Sequence, residues 1–395
     1  MKKLNRLATV AITIACLFLV GGSACGQNNE SLDKAVEWLV AQQDESGAFK
    51  SKHYGAMKQG AAMTSLALYS MSMTSDECRK NHKDAIEKAF QFLMPGTQAR
   101  GRVANPDGSL DHPVYSTAML LVAADRLDFE IDAELMTQLL DFLIRSQCVE
   151  GRGFNPANPN YGGWDVIGPD VMPGKTAGTN VSMTRFVLEA FSYAVPVNVK
   201  PTLVLDEKII ARVKESRQRA VDWLERLHKN SSDGGFHFSA QPGSALNKSR
   251  SDDDSPKSYG SATCDGLLAM HFGGDTSSES WKSTKAWIKT RTSPGEIGGF
   301  ENQKESGWPK ALKFYYLQSL ARTMEFISAS EPMFEKEAVS ISAEINSLLK
   351  MAQREDGRFE NQSALMREND PLIATSFAII AMSAEPKMSE RQLSQ

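Results

Sequence analysis

A short turn that recurs along the whole chain constrains the fold more than any other feature. It ends an amphipathic helix pattern, contains glycine followed by an aromatic or large apolar residue, and precedes a strongly apolar helix pattern. Copies of the turn lie at 43–49, 107–110, 147–154, 233–236, 298–300 and 353–359. A unit repeated in this way indicates that the units pack against one another, because one helix pair cannot bury its own apolar face.

The segments between the turns alternate between two kinds of helix. Half-exposed helices are predicted at 31–43, 84–94, 133–147, 207–229, 280–290 and 335–353, and fully packed helices at 60–71, 114–127, 179–194, 260–272, 311–326 and 372–384. No strand pattern of period two interrupts them. Since neither end has a polar capping repeat, we predict an all-α fold, an α/α toroid of about six hairpins in one domain at 31–390.

Three longer loops follow copies of the turn and are therefore predicted on one face of the ring. They cover 151–179, 238–258 and 299–310, and binding residues usually lie on such loops. The aromatic residues predicted near this face are candidates for lining a ligand cavity, with ordinary packing as the alternative. They are Tyr115, Trp164, Tyr259, Trp308 and Tyr315.

Residues 1–24 have the pattern of an export signal. Three basic residues among the first six precede the apolar run 7–20, and small residues follow it. The run is shorter than a typical membrane-spanning helix. The sequence up to Cys25 fits both an ordinary signal-peptidase site and a bacterial lipoprotein signal, although Gly22 stands where such signals usually have Leu. We expect an exported bacterial protein, periplasmic or secreted, attached to the membrane only if a lipid is added to Cys25.

The charge of the chain argues against a nucleic-acid partner. Its formal net charge is −4, and removal of the signal segment would make it −7. A mildly acidic chain without a basic stripe lacks the positive surface that phosphate backbones require.

Cys78, Cys148 and Cys264 remain beyond the signal, without a C-x-x-C spacing. Neither disulfide pairing nor oligomeric state follows from the sequence.

Three copies of the turn carry a family resemblance. The segments concerned are 233–236 with 259–264, 298–300, and Gln353 with 356–359. They resemble the repeats of the prenyltransferase and squalene-oxidase family, and the resemblance covers about residues 31–384. Members of that family share an α/α toroid, so the resemblance implies the fold that the helix pattern predicts. Fold alone does not settle the activity.

Two activities of this family require residues that the sequence supplies only in part. Resemblance to terpenoid cyclases implies an Asp-rich acid motif on an inner helix, but Asp253 and Asp254 lie in a polar loop. Resemblance to protein prenyltransferase β-subunits implies zinc, but Cys264 and Asp265 lack the Asp-x-Cys spacing and no histidine follows His271. No metal or cofactor is predicted, and the three aspartates stay candidate catalytic acids.

Carbohydrate-active toroids are a third enzymatic alternative. They place paired carboxylates, or a Tyr or His with acids, around a cleft. Asp111, His112 and Asp165 are candidates because each follows a copy of the turn or begins an inner helix. Since no catalytic motif of the family is intact, we expect a binding or scaffold toroid whose central cavity takes an apolar or carbohydrate ligand. A divergent cyclase or prenyltransferase, or a carbohydrate-active hydrolase or lyase, is the alternative.

Overall fold

The computed structural model describes residues 30–170, 172–176, 178–196, 205–241, 243–331 and 334–386. These residues form fourteen α-helices and no strand beyond isolated bridges. The helices are α1 (Glu30–Val40), α2 (Ala61–Ser72), α3 (Asp76–Asn81), α4 (Lys83–Arg100), α5 (Pro113–Arg126), α6 (Ala133–Arg145), α7 (Val181–Ala194), α8 (Glu207–Lys229), α9 (Gly260–Gly273), α10 (Glu279–Arg291), α11 (Trp308–Ala311), α12 (Lys313–Ser330), α13 (Glu335–Ala352) and α14 (Pro371–Ser383).

Six helices form a closed inner ring. In order they are α2, α5, α7, α9, α12 and α14; each contacts the next, and α14 contacts α2. Their side chains are buried on nearly all sides, whereas α1, α4, α6, α8, α10 and α13 bury one face against the inner ring. The predicted all-α toroid is confirmed. None of the described helices is long and apolar enough to cross a bilayer, and the signal segment with Cys25 lies outside the described residues.

Five of the six turns share a hydrogen bond from a backbone N–H to a threonine hydroxyl of the following inner helix. In the first repeat the Gln43 amide donates to the carbonyls of Gly47 and Ala85, at 2.9 Å each. The backbone N–H of Phe49 donates to the Thr64 hydroxyl at 2.9 Å. The glutamine thus ties the turn to the following outer helix, and the threonine ties it to the inner helix. Both roles are structural, as expected for polar side chains that bond to nearby backbone.

The last repeat uses the same bonds to close the ring. The Gln353 amide donates to the carbonyls of Gly357 and Ser31, at 2.8 Å each. The N–H of Phe359 donates to the Thr375 hydroxyl at 2.9 Å. Because Ser31 lies in the first turn of α1, this bond joins the last repeat to α1. Helix α1 therefore has the same position relative to the last repeat as α4 has relative to the first.

The second turn lies earlier than the sequence predicts. The N–H of Val103 donates to the Thr117 hydroxyl at 3.0 Å, so the equivalent turn is 101–103 and not 107–110. Gly101 ends α4 with a φ of 60°, a left-handed conformation that suits glycine. The prediction was wrong here because α4 continues to Arg100 and a second glycine follows in the loop.

The third turn lies later than predicted. The Gln147 amide donates to the Gly162 carbonyl at 2.8 Å, and the N–H of Trp164 lies 3.4 Å from the Thr184 hydroxyl. The equivalent turn is therefore 162–164, and the prediction of 147–154 was wrong because that segment belongs to an insertion with its own Gly-Phe pair.

Candidate functional site

The three long loops predicted on one face lie side by side. The N–H of Val181, which follows the first loop, donates to the Phe238 carbonyl of the second at 3.0 Å. The hydroxyl of Ser249 in the second loop donates to the carbonyl of Gly299 in the third. The loops therefore form one continuous rim around the beginnings of the inner helices.

The second and third loops border an open cleft of about 810 Å³, called the rim cleft below. Its lining includes Lys248, Arg250, Asn302, Gln303 and Trp308. The side-chain amide of Gln303 donates to the Arg250 carbonyl at 2.7 Å. The backbone N–H of Arg250 donates to the side-chain amide oxygen of Gln303 at 3.2 Å. These bonds hold the two walls together. Trp308 is the candidate aromatic residue that lines this cleft.

Most charged groups of the rim cleft are paired. The pairs are Arg250 with Asp254 at 3.2 Å, Lys304 with Glu296 at 2.8 Å and Glu301 with Lys257 at 2.8 Å. Partial burial of Glu301 opposes ionisation, but hydrogen bonds from Lys257 and from backbone lower its pKa to about 2. The carboxylate of Glu301 is thus ionised at neutral pH, and the Lys257 ammonium balances its charge.

The axis of the ring holds a network of buried charged and hydroxyl groups. Glu189 accepts hydrogen bonds from the Tyr69 hydroxyl at 2.9 Å and Arg322 Nη2 at 2.8 Å, and lies 3.3 Å from Arg185 Nη2. These residues come from α2, α7 and α12, and no two of these helices are neighbours in the ring. Their side chains can meet only by reaching the centre. We call Tyr69, Arg185, Glu189 and Arg322 the axial network.

A second group of candidates meets beside the axial network. Asp265 accepts hydrogen bonds from the Tyr315 hydroxyl at 2.5 Å and the Ser319 hydroxyl at 2.9 Å. The Tyr315 hydroxyl also contacts that of Ser182, which accepts a bond from Tyr115 at 2.9 Å. Burial raises the pKa of Asp265 to about 6, although hydrogen bonds to its carboxylate oppose the shift. The structure thus joins Asp265, Tyr115 and Tyr315 in one buried cluster.

Asp111 and His112 form a contact pair elsewhere on the rim. His112 Nδ1 lies 2.7 Å from Asp111 Oδ1, and its Nε2 lies 3.5 Å from Arg367 Nη1. The Arg367 guanidinium lies over the Tyr54 ring, 5.2 Å from its centroid. His112 and Arg367 have φ of 47° and 61°, left-handed values that are uncommon for such residues. Two strained backbone positions from distant repeats therefore meet at one point.

The remaining candidate acids have structural surroundings. Asp165 is fully buried and pairs with Arg152 at 3.2 Å within the first rim loop. Asp253 and Asp254 lie on an exposed turn. Hydrogen bonds from serine hydroxyls of that turn lower the pKa of Asp253 to about 2. An exposed, ionised carboxylate is unsuited to protonating an alkene, which requires a neutral carboxylic acid.

Two of the aromatic candidates are packed in the core. Trp164 is fully buried and donates its indole N–H to the Leu143 carbonyl at 2.7 Å. Tyr259 is also buried and packs on Phe300, with 5.2 Å between ring centroids. For both residues the structure matches ordinary packing, the alternative that the sequence left open.

Cys78, Cys148 and Cys264 are free thiols, and the described residues contain no cluster suited to a metal ion.

The sequence-based reasoning missed Lys248 and the axial charges. Arg185, Glu189 and Arg322 stand inside otherwise apolar helix patterns, and charged residues at such positions are a usable signal of a buried network. Lys248 offers no such signal because it belongs to a loop with several other charged residues. Its importance comes from what surrounds it in three dimensions.

Comparison with known proteins supports the fold. A family model for the prenyltransferase alpha-alpha toroid domain matches residues 1–160, and no curated protein sequence matches the chain. Similar solved structures include the type II terpene cyclase MstE from Scytonema (TM-score 0.53, 12% identity, 89% of this chain and 96% of that chain). The GH76A alpha-1,6-mannanase from Salegentibacter sp. HEL1_6 has a TM-score of 0.54 and 14% identity, with 90% and 98% covered. The cellobiose 2-epimerase from Bacillus thermoamylovorans B4167 has a TM-score of 0.53 and 11% identity, with 90% and 98% covered.

Identities this low show the fold and not the activity. The closed double ring, the recurring turn and the family match agree with one another. The chain is an α/α toroid, similar in fold to the type II terpene cyclase, and its residues 1–160 match the prenyltransferase alpha-alpha toroid domain.

Proposed function

We propose that the chain is an exported toroid that binds a carbohydrate in the rim cleft. The observation that carries the proposal is an open cleft of about 810 Å³ whose lining combines Trp308 with amide and charged side chains. Sugars bind where an aromatic ring offers an apolar surface and amide or charged groups offer hydrogen bonds. Asn302 supplies an amide beside Trp308, and the bonds between Gln303 and Arg250 hold the walls around it.

The axial network favours a polar ligand over an apolar one. A polyprene in the centre of the ring would have to lie against Arg185, Glu189 and Arg322, which are buried charged groups. A hydrocarbon would offer no hydrogen bond to Arg185 Nε and Nη1, which have no such partner among the described residues, whereas a polar ligand would offer one. Among proteins with a similar fold, one is named a mannanase and another a cellobiose epimerase. This is an analogy of fold, and it is compatible with a carbohydrate ligand.

Export is supported by the pattern of residues 1–24 and by the small residues before Cys25. Mass spectrometry of the chain from its own envelope fraction tests this part of the proposal. A mature chain that begins near residue 25 is expected, with a lipid mass on Cys25 if the lipoprotein alternative holds. A chain that retains residues 1–24 in the cytoplasm would contradict export.

Substitution of Trp308 tests the rim cleft. An oligosaccharide array selects a ligand, and titration calorimetry then compares variants. We expect Trp308→Ala to weaken binding by about tenfold or more, because the apolar surface under the sugar ring is lost. Tyr161→Ala is the matched control, since Tyr161 lies on the neighbouring rim loop and its hydroxyl bonds to Glu150 outside the cleft. Unchanged affinity in Trp308→Ala, or no oligosaccharide ligand at all, would refute the proposal.

A carbohydrate-active enzyme is the second candidate, favoured by the contact between Asp111 and His112. An imidazole oriented by a carboxylate can act as a general base, and such a group typically contributes about 100-fold or more to a rate. If a sugar is turned over at this pair, which lies outside the lining of the rim cleft, we expect Asp111→Asn and His112→Ala to lower kcat by about 100-fold with little change in Kd. His53→Ala, at an exposed histidine of the same rim, is the control. Equal turnover in all variants would exclude this pair.

A further inference from the structure

One cation of the rim cleft differs from the others. Arg250 and Lys304 have carboxylate partners, whereas Lys248 has none among the described residues. Lys248 is half-buried, and its Nζ donates to the Leu246 carbonyl at 2.7 Å. The same nitrogen lies 5.1 Å from the ring centroids of both Phe238 and Trp308.

This environment compensates the ammonium charge only in part. Two aromatic faces attract the cation, and one carbonyl accepts one of its three N–H groups. Burial still lowers the pKa of Lys248 to about 8, which shows that the charged form is under-stabilised. A carboxylate bound in the cleft would accept a short, charge-assisted hydrogen bond from this nitrogen. The free protein therefore holds a cation that an anionic ligand group would stabilise.

The other charges of the cleft limit the kind of anion. Arg250 and Lys304 are already paired and Glu305 adds a negative charge, so a ligand with many negative charges would find few cations left to balance it. A ligand with a single carboxylate places its charge on Lys248 and leaves the rest of the molecule neutral. The amides and the Trp308 ring suit the sugar portion of such a ligand.

We propose that Lys248 recognises the carboxylate of an acidic sugar, a uronic acid unit, in the rim cleft. This inference rests on the proposed carbohydrate function and adds the charge of the ligand. It also assigns a specificity-determining role to a residue between two aromatic rings, where ordinary packing would otherwise be its only role.

Matched ligands and matched variants test the inference. The probes are glucuronate against glucose and galacturonate against galactose, titrated while the protein is observed by NMR. Wild-type protein is expected to bind each uronate about tenfold or more tightly than its parent hexose. Lys248→Met keeps an unbranched side chain between the rings and is expected to abolish this preference. Lys304→Met removes the same charge from the same cleft, where Lys304 is paired with Glu296, and is expected to preserve it.

The pH dependence gives an independent reading. The preference for uronates should decline as the pH rises through about 8 and above, where Lys248 loses its proton. Lys248→Arg should keep the preference at high pH, because a guanidinium stays protonated. Thermal melting of each variant verifies that it is folded.

The outcomes separate this inference from the proposed function. Equal affinity for uronates and hexoses in the wild type, or a preference that survives Lys248→Met, would overturn the role of Lys248. Binding of neutral sugars that still depends on Trp308 would in that case leave the carbohydrate function standing. No sugar binding of any kind would overturn both.

Discussion

Glu189→Gln is expected to destabilise the folded protein by about 3–5 kcal/mol, the range found when one partner of a buried ion pair is removed. Glutamine keeps the shape of the side chain but removes the charge that faces Arg185 and Arg322, at 3.3 and 2.8 Å. Arg322 retains a bond to Glu325. Arg185 already has two buried nitrogens, Nε and Nη1, without a hydrogen-bond partner among the described residues. Urea unfolding followed by circular dichroism measures the loss.

A surface pair with the same spacing provides the control. Glu215 pairs with Arg219 one helical turn away at 2.5 Å, but its side chain is 60% exposed. Exposed pairs of this kind are typically worth about 0.3–0.5 kcal/mol, so Glu215→Gln should have a small effect. If Glu189→Gln were as mild as Glu215→Gln, water would be reaching the axis of the ring. In that case the charges of the axial network would be hydrated and would not favour a polar ligand over an apolar one.

The ring was predictable from the sequence because each helix pair shows the same local pattern, and this pattern is repeated along the chain. The change from a half-exposed to a fully apolar helix pattern indicates which helices are inner. The two wrong turns show the limit of this approach. Glycine followed by an apolar residue also occurs in loops, as at Gly153, and only the bond from Gln147 to Gly162 identifies the true turn. Such a bond depends on where the next outer helix lies.

The candidate site was predictable only in part. Asp265, Tyr115 and Tyr315 stood among the candidates, but their meeting depends on the order of helices around the ring. Trp164 is of a residue type suited to sugar binding, but the structure places it in the core. Its spacing in the sequence does not distinguish a binding residue from a core residue. Lys248 is a candidate because no carboxylate of the described part of the chain pairs with it, and a single sequence does not show which side chains surround a loop residue.

Gly357→Ala tests whether the ring is closed in solution, with an expected loss of about 3 kcal/mol or more. Gly357 has a φ of 95°, and a Cβ there would lie 2.3 Å from the Lys34 carbonyl oxygen in α1. Gly47 has a φ of 89° and would bring a Cβ within 2.3 Å of the Lys88 oxygen in α4. The clash at the closing contact is therefore the same as at an internal repeat.

Gly274 separates backbone strain from this clash, because it has a φ of 92° but a Cβ at this position would meet no atom within 4 Å. Gly274→Ala should thus cost only the left-handed strain, about 1–2 kcal/mol. If α1 packs against the last repeat in solution, Gly357→Ala and Gly47→Ala should be equally destabilising in urea unfolding, and both should exceed Gly274→Ala. If the ring opens between its ends, Gly357→Ala should fall to the level of Gly274→Ala, since the Lys34 carbonyl would no longer be there to clash. The comparison thus tests the contact between first and last repeats, on which the arrangement of the axis and the rim depends.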